Sequence, residues 1–146
     1  MPVPNAMLPL ERCPLNADSV HRLNAAALSP LLAIRRAGRM ATAYAIDAPG
    51  TYRRTAIAIR RSDHTPPPPQ AVDAQMRALF ARLQAAWTRQ DAAWLGGLAL
   101  WRINWIHPYR EGNGRTARAA CRSIVLARQP PVDARTFANA FDRALV

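Results

Sequence analysis

Apolar positions recur at helical spacing along most of the chain, and one stretch near the middle departs from it. From Gln70 to about Arg89, Val72, Met76, Leu79, Phe80, Leu83 and Trp87 fall at i, i+4, i+7, i+8, i+11 and i+15. A helix of 3.6 residues per turn gathers such positions into one stripe, so an amphipathic helix with a single core face is predicted. Asp91 is suited to cap a second helix that runs to about Ile106. There Trp94, Leu95, Leu98, Leu100, Trp101, Ile103, Trp105 and Ile106 spread nearly all round the axis. Apolar residues on every side predict a central helix, buried throughout, with its tryptophans serving as core packing. Another helix is predicted from about Gly114 to Arg128, and a last one, capped by Asp133, carries Phe137, Phe141 and Leu145.

Upstream the pattern is shorter and more broken. Val20, Leu23 and Ala27 predict a short helix over Ala17 to Leu28. Ser29-Pro30 reads as an N-cap with proline at the first helical position, opening a further helix to about Ile46. Asp47-Ala48-Pro49-Gly50 is a turn signal. Between Thr51 and Pro69 the helical spacing lapses: Thr55 to Ile59 is short and partly β-branched, and the polar run Arg60 to His64 leads into four prolines, Pro66 to Pro69. One strand, a turn and an irregular return arm are predicted there, a small hairpin with the prolines as a stiff lead into the next helix. The expected fold is therefore mainly α: an irregular arm over residues 1–16, then one domain over 17–146 built as a helical bundle with one small β-hairpin.

Composition narrows the function more than the fold. At 146 residues and 50% apolar content, the chain has the size and make-up of one globular domain. The N-terminus lacks the basic head of a secretory signal, and no apolar run approaches the roughly 18 residues of a membrane span. Cys13 and Cys121 show no paired spacing, which argues against a disulfide scaffold or a zinc site and for a reducing compartment. A cytoplasmic protein is expected, although a secreted bacterial effector also fits. The net charge of +11 comes from 20 basic residues, every one an arginine. A basic surface attracts polyanions. Because there is no lysine, the lysine of a P-loop and that of a kinase strand are both excluded. Any phosphate chemistry must rest on arginine and backbone amides.

The segment that can carry such chemistry is His107-Pro108-Tyr109-Arg110-Glu111-Gly112-Asn113-Gly114-Arg115-Thr116-Ala117-Arg118. Proline disfavours helical backbone in the residue before it, so His107 stands at a forced exit from the central helix. Gly112 and Gly114 allow the chain to wrap its amides closely round an anion, and the amides of a helix N-terminus attract negative charge. Arg115 and Arg118, three apart, share a face of the helix that follows. Together these features describe a polyphosphate cradle. Glu111 inside it is either a salt-bridge partner for the arginines or a Mg²⁺ ligand, since magnesium is usually held by one or two carboxylates plus substrate phosphates. His107, with an ordinary pKa of about 6.5, is the candidate general base.

These residues resemble the signature of the Fic (Fido) domain, His-Pro-Phe-x-Asp/Glu-Gly-Asn-Gly-Arg-x-x-Arg. They match it at every specified position except Tyr109, where phenylalanine is usual. Weaker similarity extends from about residue 17 to 145. The resemblance implies a protein adenylyltransferase that moves AMP from ATP to a Tyr, Ser or Thr hydroxyl of a target protein and releases pyrophosphate. It implies that His107 takes the hydroxyl proton and that Glu111 holds Mg²⁺. Gly112, Asn113 and Gly114 would form the anion hole, Arg115 would support the phosphates, and Arg118 would bind the γ-phosphate. The predicted hairpin is similar to the family's flap, which would dock the target's backbone along Ile57, Ala58 and Ile59, with His64 near its end.

Donors other than ATP (UMP, GMP, phosphate or phosphocholine) and removal of AMP remain open within the family. The phosphorylating branch typically carries lysine where this chain has Gly114. The inhibitory pattern Ser/Thr-x-x-x-Glu-Gly/Asn is absent, which points to an antitoxin-like partner in trans or to no control in cis. A reading from another class, a basic nucleic-acid-binding or adaptor protein with a vestigial motif, rests on the charge alone. Nucleic acid and membranes are not expected partners.

Overall fold

The computed structural model of the chain describes residues 12–36 and 49–128. Among them are four helices and no strand: α1 (Ala17–Arg36), α2 (Pro69–Ala86), α3 (Ala92–Ile106) and α4 (Asn113–Arg128). The helix expected beyond Asp133 lies outside the described residues. α3 packs most extensively on α4 and also on α2, while α1 packs against α4. The mainly α reading of the sequence therefore holds.

α2 forms where its stripe predicts. Val72, Met76, Leu79 and Leu83 are buried, as is Trp87 just beyond its last turn, while Phe80 packs at the edge of the core. Pro68 occupies the N-cap in extended conformation and Pro69 opens the helix, so the proline run does lead into α2. A ring that fixes φ near −65° and lacks an N–H costs nothing at that position.

Three expectations need correction. α1 runs through Ser29-Pro30 without a break, so the boundary read there is not one. Proline's φ is itself helical, and it ends a helix only where nothing holds the turns beside it. Here Leu28 is buried, and the Ala27 carbonyl accepts a bond from Arg115 Nη1 at 3.1 Å. α3 is not buried all round. Leu95, Gly96, Leu98, Ala99, Ile103 and Ile106 face the core, but Trp94, Trp101 and Trp105 are 37%, 56% and 37% exposed. The Arg102 guanidinium lies over the rings of Trp101 and Trp105, and that of Arg82 over Trp94. An apolar count cannot separate an indole in a core from one roofed by a guanidinium, because both sites suit a large polarizable ring.

The hairpin is the third. Residues 51–68 form an extended excursion that reverses at Arg60–Arg61, where the Ser62 amide reaches the Ile59 carbonyl and Arg61 takes a φ of 59°. No ladder joins its two arms among the described residues. The return arm ends in consecutive prolines, which have no N–H to donate across a ladder. The shape is held by side chains instead.

Candidate active site

The site begins at the C-terminal end of α3. His107 is its C-cap, with φ 52° and ψ 59°, and its amide reaches the Ile103 carbonyl at 2.9 Å. Left-handed backbone is rare for a residue with a Cβ and costs roughly 1–2 kcal/mol. The proline that follows is ill-suited to it as well. Such a conformation persists only where its surroundings over-determine it. It turns the half-buried imidazole back over the last turn, where Nδ1 lies 3.1 Å from the Asn104 carbonyl. A carbonyl only accepts, so Nδ1 carries the proton and the Nε2 lone pair remains for chemistry. Burial lowers the imidazole pKa below 6.5, and Arg53 and His64 act in the same direction, against the Asn104 bond and Glu111. The free-base form is favoured.

The loop after His107 is clamped from within. Asn113, 3% exposed, accepts from the Tyr109 amide at 2.9 Å and donates to the Tyr109 carbonyl at 2.7 Å, closing the turn with one side chain. Gly112 has a φ of 75°, and a Cβ there would lie 3.2 Å from Leu28 and 3.3 Å from the Asn24 amide, so both conformation and space demand glycine. The Gly112 carbonyl accepts from the Thr116 amide, making Gly112 the cap of α4. The amides of Asn113, Gly114 and Arg115 therefore belong to the opening turn, which has no intrahelical acceptors for them. From α1, the buried Asn24 donates to the Glu111 carbonyl and to Thr116 Oγ1 and accepts from the Gly50 amide. Tyr109 sits where the signature has phenylalanine. Its ring is 1% exposed and its hydroxyl lies 2.8 Å from His21 Nδ1, so the extra oxygen has a partner. Burial raises the phenol pKa, and that of the adjoining Tyr52 to about 12.

A cleft of about 400 Å³ is lined by His107, Arg110, Glu111, Gly112, Asn113, Gly114, Arg115 and Arg118, with Ala58, Ile59 and Arg60 from the extended excursion on its far side. The structure thus brings together every motif residue singled out in the sequence. Of the four residues picked out on the excursion, it adds Ala58 and Ile59 to the lining. Ile57 is not among the lining residues, and His64 turns away: its Nε2 donates to the Trp105 carbonyl at 2.7 Å and its ring stacks on Trp105. The Asn113 side chain is committed to the loop, so only its backbone is available to an anion. Arg115 is bonded to α1, and Arg118 is exposed, its guanidinium 3.3 Å from where a Cβ on Gly114 would stand.

Four arginines and one carboxylate line the cleft, which is chemistry for a polyanion rather than for a bare cation. Among the described residues no cluster of three or more His, Cys, Asp or Glu side chains could hold a metal. The ion pairs found there, Arg22–Asp18 and Arg77–Asp73, are exposed helical pairs that leave Glu111 out. A single open carboxylate fits Mg²⁺ only when phosphate oxygens and water complete its shell. Sequence reasoning missed Arg53, Arg60, His21 and Asn24. No local spacing marks them: most partners of Arg53, His21 and Asn24 lie far away along the chain, and Arg60 meets the motif only across the cleft. Among the described residues, no helix is long and apolar enough to cross a membrane.

Comparison with known proteins gives a consistent picture. A stretch of 85 residues is 34% identical to a protein from Nematostella vectensis named Protein adenylyltransferase Fic; it takes in 57% of this chain and 19% of that protein. Among solved structures, a Fic family protein from Desulfovibrio desulfuricans G20 superposes with a TM-score of 0.54 at 25% identity, over 76% of this chain and 31% of the other. The chain therefore spans less than a third of the length of either relative. The sequence pattern of the Fic/DOC family matches residues 14–125, and the chain belongs to that family.

Proposed function

We propose that the chain transfers AMP from ATP to a hydroxyl side chain of a target protein and releases pyrophosphate. The observation that carries this reading is one juxtaposition: an imidazole held through Nδ1 by the Asn104 carbonyl shares a cleft with a helix N-terminus and four arginines. The adenylyltransferase name of the Nematostella relative supports it. In the proposed reaction Nε2 takes the proton of a Tyr, Ser or Thr hydroxyl as that oxygen bonds to the α-phosphorus. The bond from the α-phosphorus to the α,β-bridging oxygen breaks, and pyrophosphate leaves with the electron pair. The amides of Asn113, Gly114 and Arg115 face the phosphates, while Arg115 and Arg118 neutralise them. Positioning and charge stabilisation of this kind are the main demands of phosphorus transfer. Glu111 would hold Mg²⁺, which when bound supplies further charge neutralisation at the phosphates. A Cβ on Gly114 would lie 3.3 Å from the Arg118 guanidinium, and the absence of the lysine that the family's phosphorylating branch typically carries at this position supports nucleotide over phosphate transfer.

ATP labelled on the α- or the γ-phosphate tests the reading. The α-label should move onto protein, and His107→Ala should slow that transfer by about 10²- to 10⁴-fold, as loss of a general base does. Transfer of the γ-label instead, or an undiminished His107→Ala variant, overturns it.

A further inference from the structure

The last residues of α3 and the first of the loop present a run of carbonyls that the helix cannot satisfy. Each has a partner. The Ile103 carbonyl takes the His107 amide and that of Asn104 takes His107 Nδ1. The next four are served from the extended excursion: Trp105 by His64 Nε2 at 2.7 Å, Ile106 by Arg53 Nη2 at 3.3 Å, His107 by Arg53 Nε at 2.7 Å, and Pro108 by the Arg53 amide at 2.8 Å. The same guanidinium donates to the Thr55 carbonyl on the outgoing arm and to the Pro67 carbonyl on the return arm. Arg53 is 3% exposed and has only carbonyls for partners. Burial pushes its pKa down, yet a guanidinium keeps its proton. A buried cation without an acid beside it is costly, and the negative end of a helix is one of the few places that offsets the cost.

We infer that Arg53, assisted by His64, is a positioning residue that caps α3 from outside and fixes the His107 imidazole and the cleft-lining edge at Ala58–Arg60 as one unit. The inference rests on the reading of His107 as the base but makes a claim of its own. One planar fork ties both arms of a ladderless excursion to the carbonyl of the base residue, so neither can shift without the other. A lysine could keep the charge but could not reach four carbonyls in different directions, because its donors radiate from a single atom.

The test uses the full chain with Arg53→Lys, Arg53→Met and the milder His64→Ala. Amide hydrogen exchange is followed by peptide in the last turn of α3 and the loop (residues 103–109) and, as reference, in α2. Nitrogen-15 correlation spectra report which ring nitrogen of His107 carries the proton, and calorimetry reports ATP affinity. For both Arg53 variants, exchange over 103–109 should rise at least about tenfold with α2 unchanged. The single Nδ1–H tautomer should give way to an averaged signal, and ATP affinity should stay within about twofold, since the phosphate-facing groups sit on α4. His64→Ala should show the same pattern more weakly. If Arg53→Lys behaves as wild type, charge rather than the fork is what matters, and the inference is overturned. It is overturned too if exchange accelerates equally in α2, or if the His107 signal is indifferent to all three variants. A wild-type protein that binds no ATP would count against the proposed function while leaving the exchange result to decide the capping.

Discussion

The two ends of the motif are built on opposite principles. At the His107 end nearly every polar group is committed to the chain itself: the imidazole to Asn104, the backbone to Arg53, and the following turn to Asn113. At the Arg118 end the arginine side chains stand at the surface on a helix whose opening residues line the cleft. A proton is transferred only over hydrogen-bond distance, so a base must be held to within tenths of an ångström. Charge acts over several ångströms and tolerates movement. Under the proposed function, the protein fixes the group whose position matters and leaves Arg118, whose charge matters, at the surface.

The largest effect should come from breaking the committed end. Asn113→Ala strands the amide and carbonyl of buried Tyr109, a loss of about 1–3 kcal/mol in stability. It also frees the turn that carries Glu111 and Gly112, so transfer should fall at least about 100-fold while some fold persists. Thermal melting and the α-label assay read the two together, and a variant with normal transfer would erase the contrast between the ends. Arg118→Ala should act differently. Loss of one charge-assisted contact weakens ATP binding by about 10- to 100-fold, yet the melting temperature should hardly move, because the residue is exposed. A fall in stability to match the fall in affinity would mean that this end is committed as well.

The smallest effect is one of pH. Burial lowers the His107 pKa, so the imidazole stays neutral below the ordinary value of 6.5. Transfer should therefore fall by less than about twofold between pH 8 and pH 6.5, with the acid limb below that point. Stability follows the same sign. His107 and His21 both have folded-state pKa values below their unfolded ones, with burial the largest cause. The unfolded chain thus binds more protons between the two values, and the melting temperature should decline as pH drops through 6.5 toward the folded-state pKa. An acid limb above pH 6.5 would show that Glu111 and the Asn104 bond outweigh burial at the imidazole.

Much of this architecture is written in local patterns. The stripe from Val72 to Trp87 marks α2, Asp91 marks the start of α3 through its bond to the Trp94 amide, and the motif marks the cleft. What local pattern could not show is partnership at long range. Ser29-Pro30 carries the signature of a helix start but sits inside α1, held by contacts with residues more than eighty positions away. Trp94, Trp101 and Trp105 look like core residues by composition, yet they form an exposed face roofed in part by Arg82 and Arg102. Arg53 looks like one more arginine in a basic chain, and nothing near it in sequence announces the Pro67, Ile106 and His107 carbonyls waiting elsewhere. Similarly, β-branched residues at Thr55, Ile57 and Ile59 suggest a strand, but its would-be partner ends in prolines that cannot donate.

A stretch pinned at Arg53 and His64 and joined by a ladder to none of the described residues is, in evolutionary terms, a cassette. Residues between the two pins can be exchanged without disturbing the register of a sheet, because there is none to keep. Under the proposed function, specificity for a new target could thus be drafted there one residue at a time, while the cleft beneath goes on unrevised.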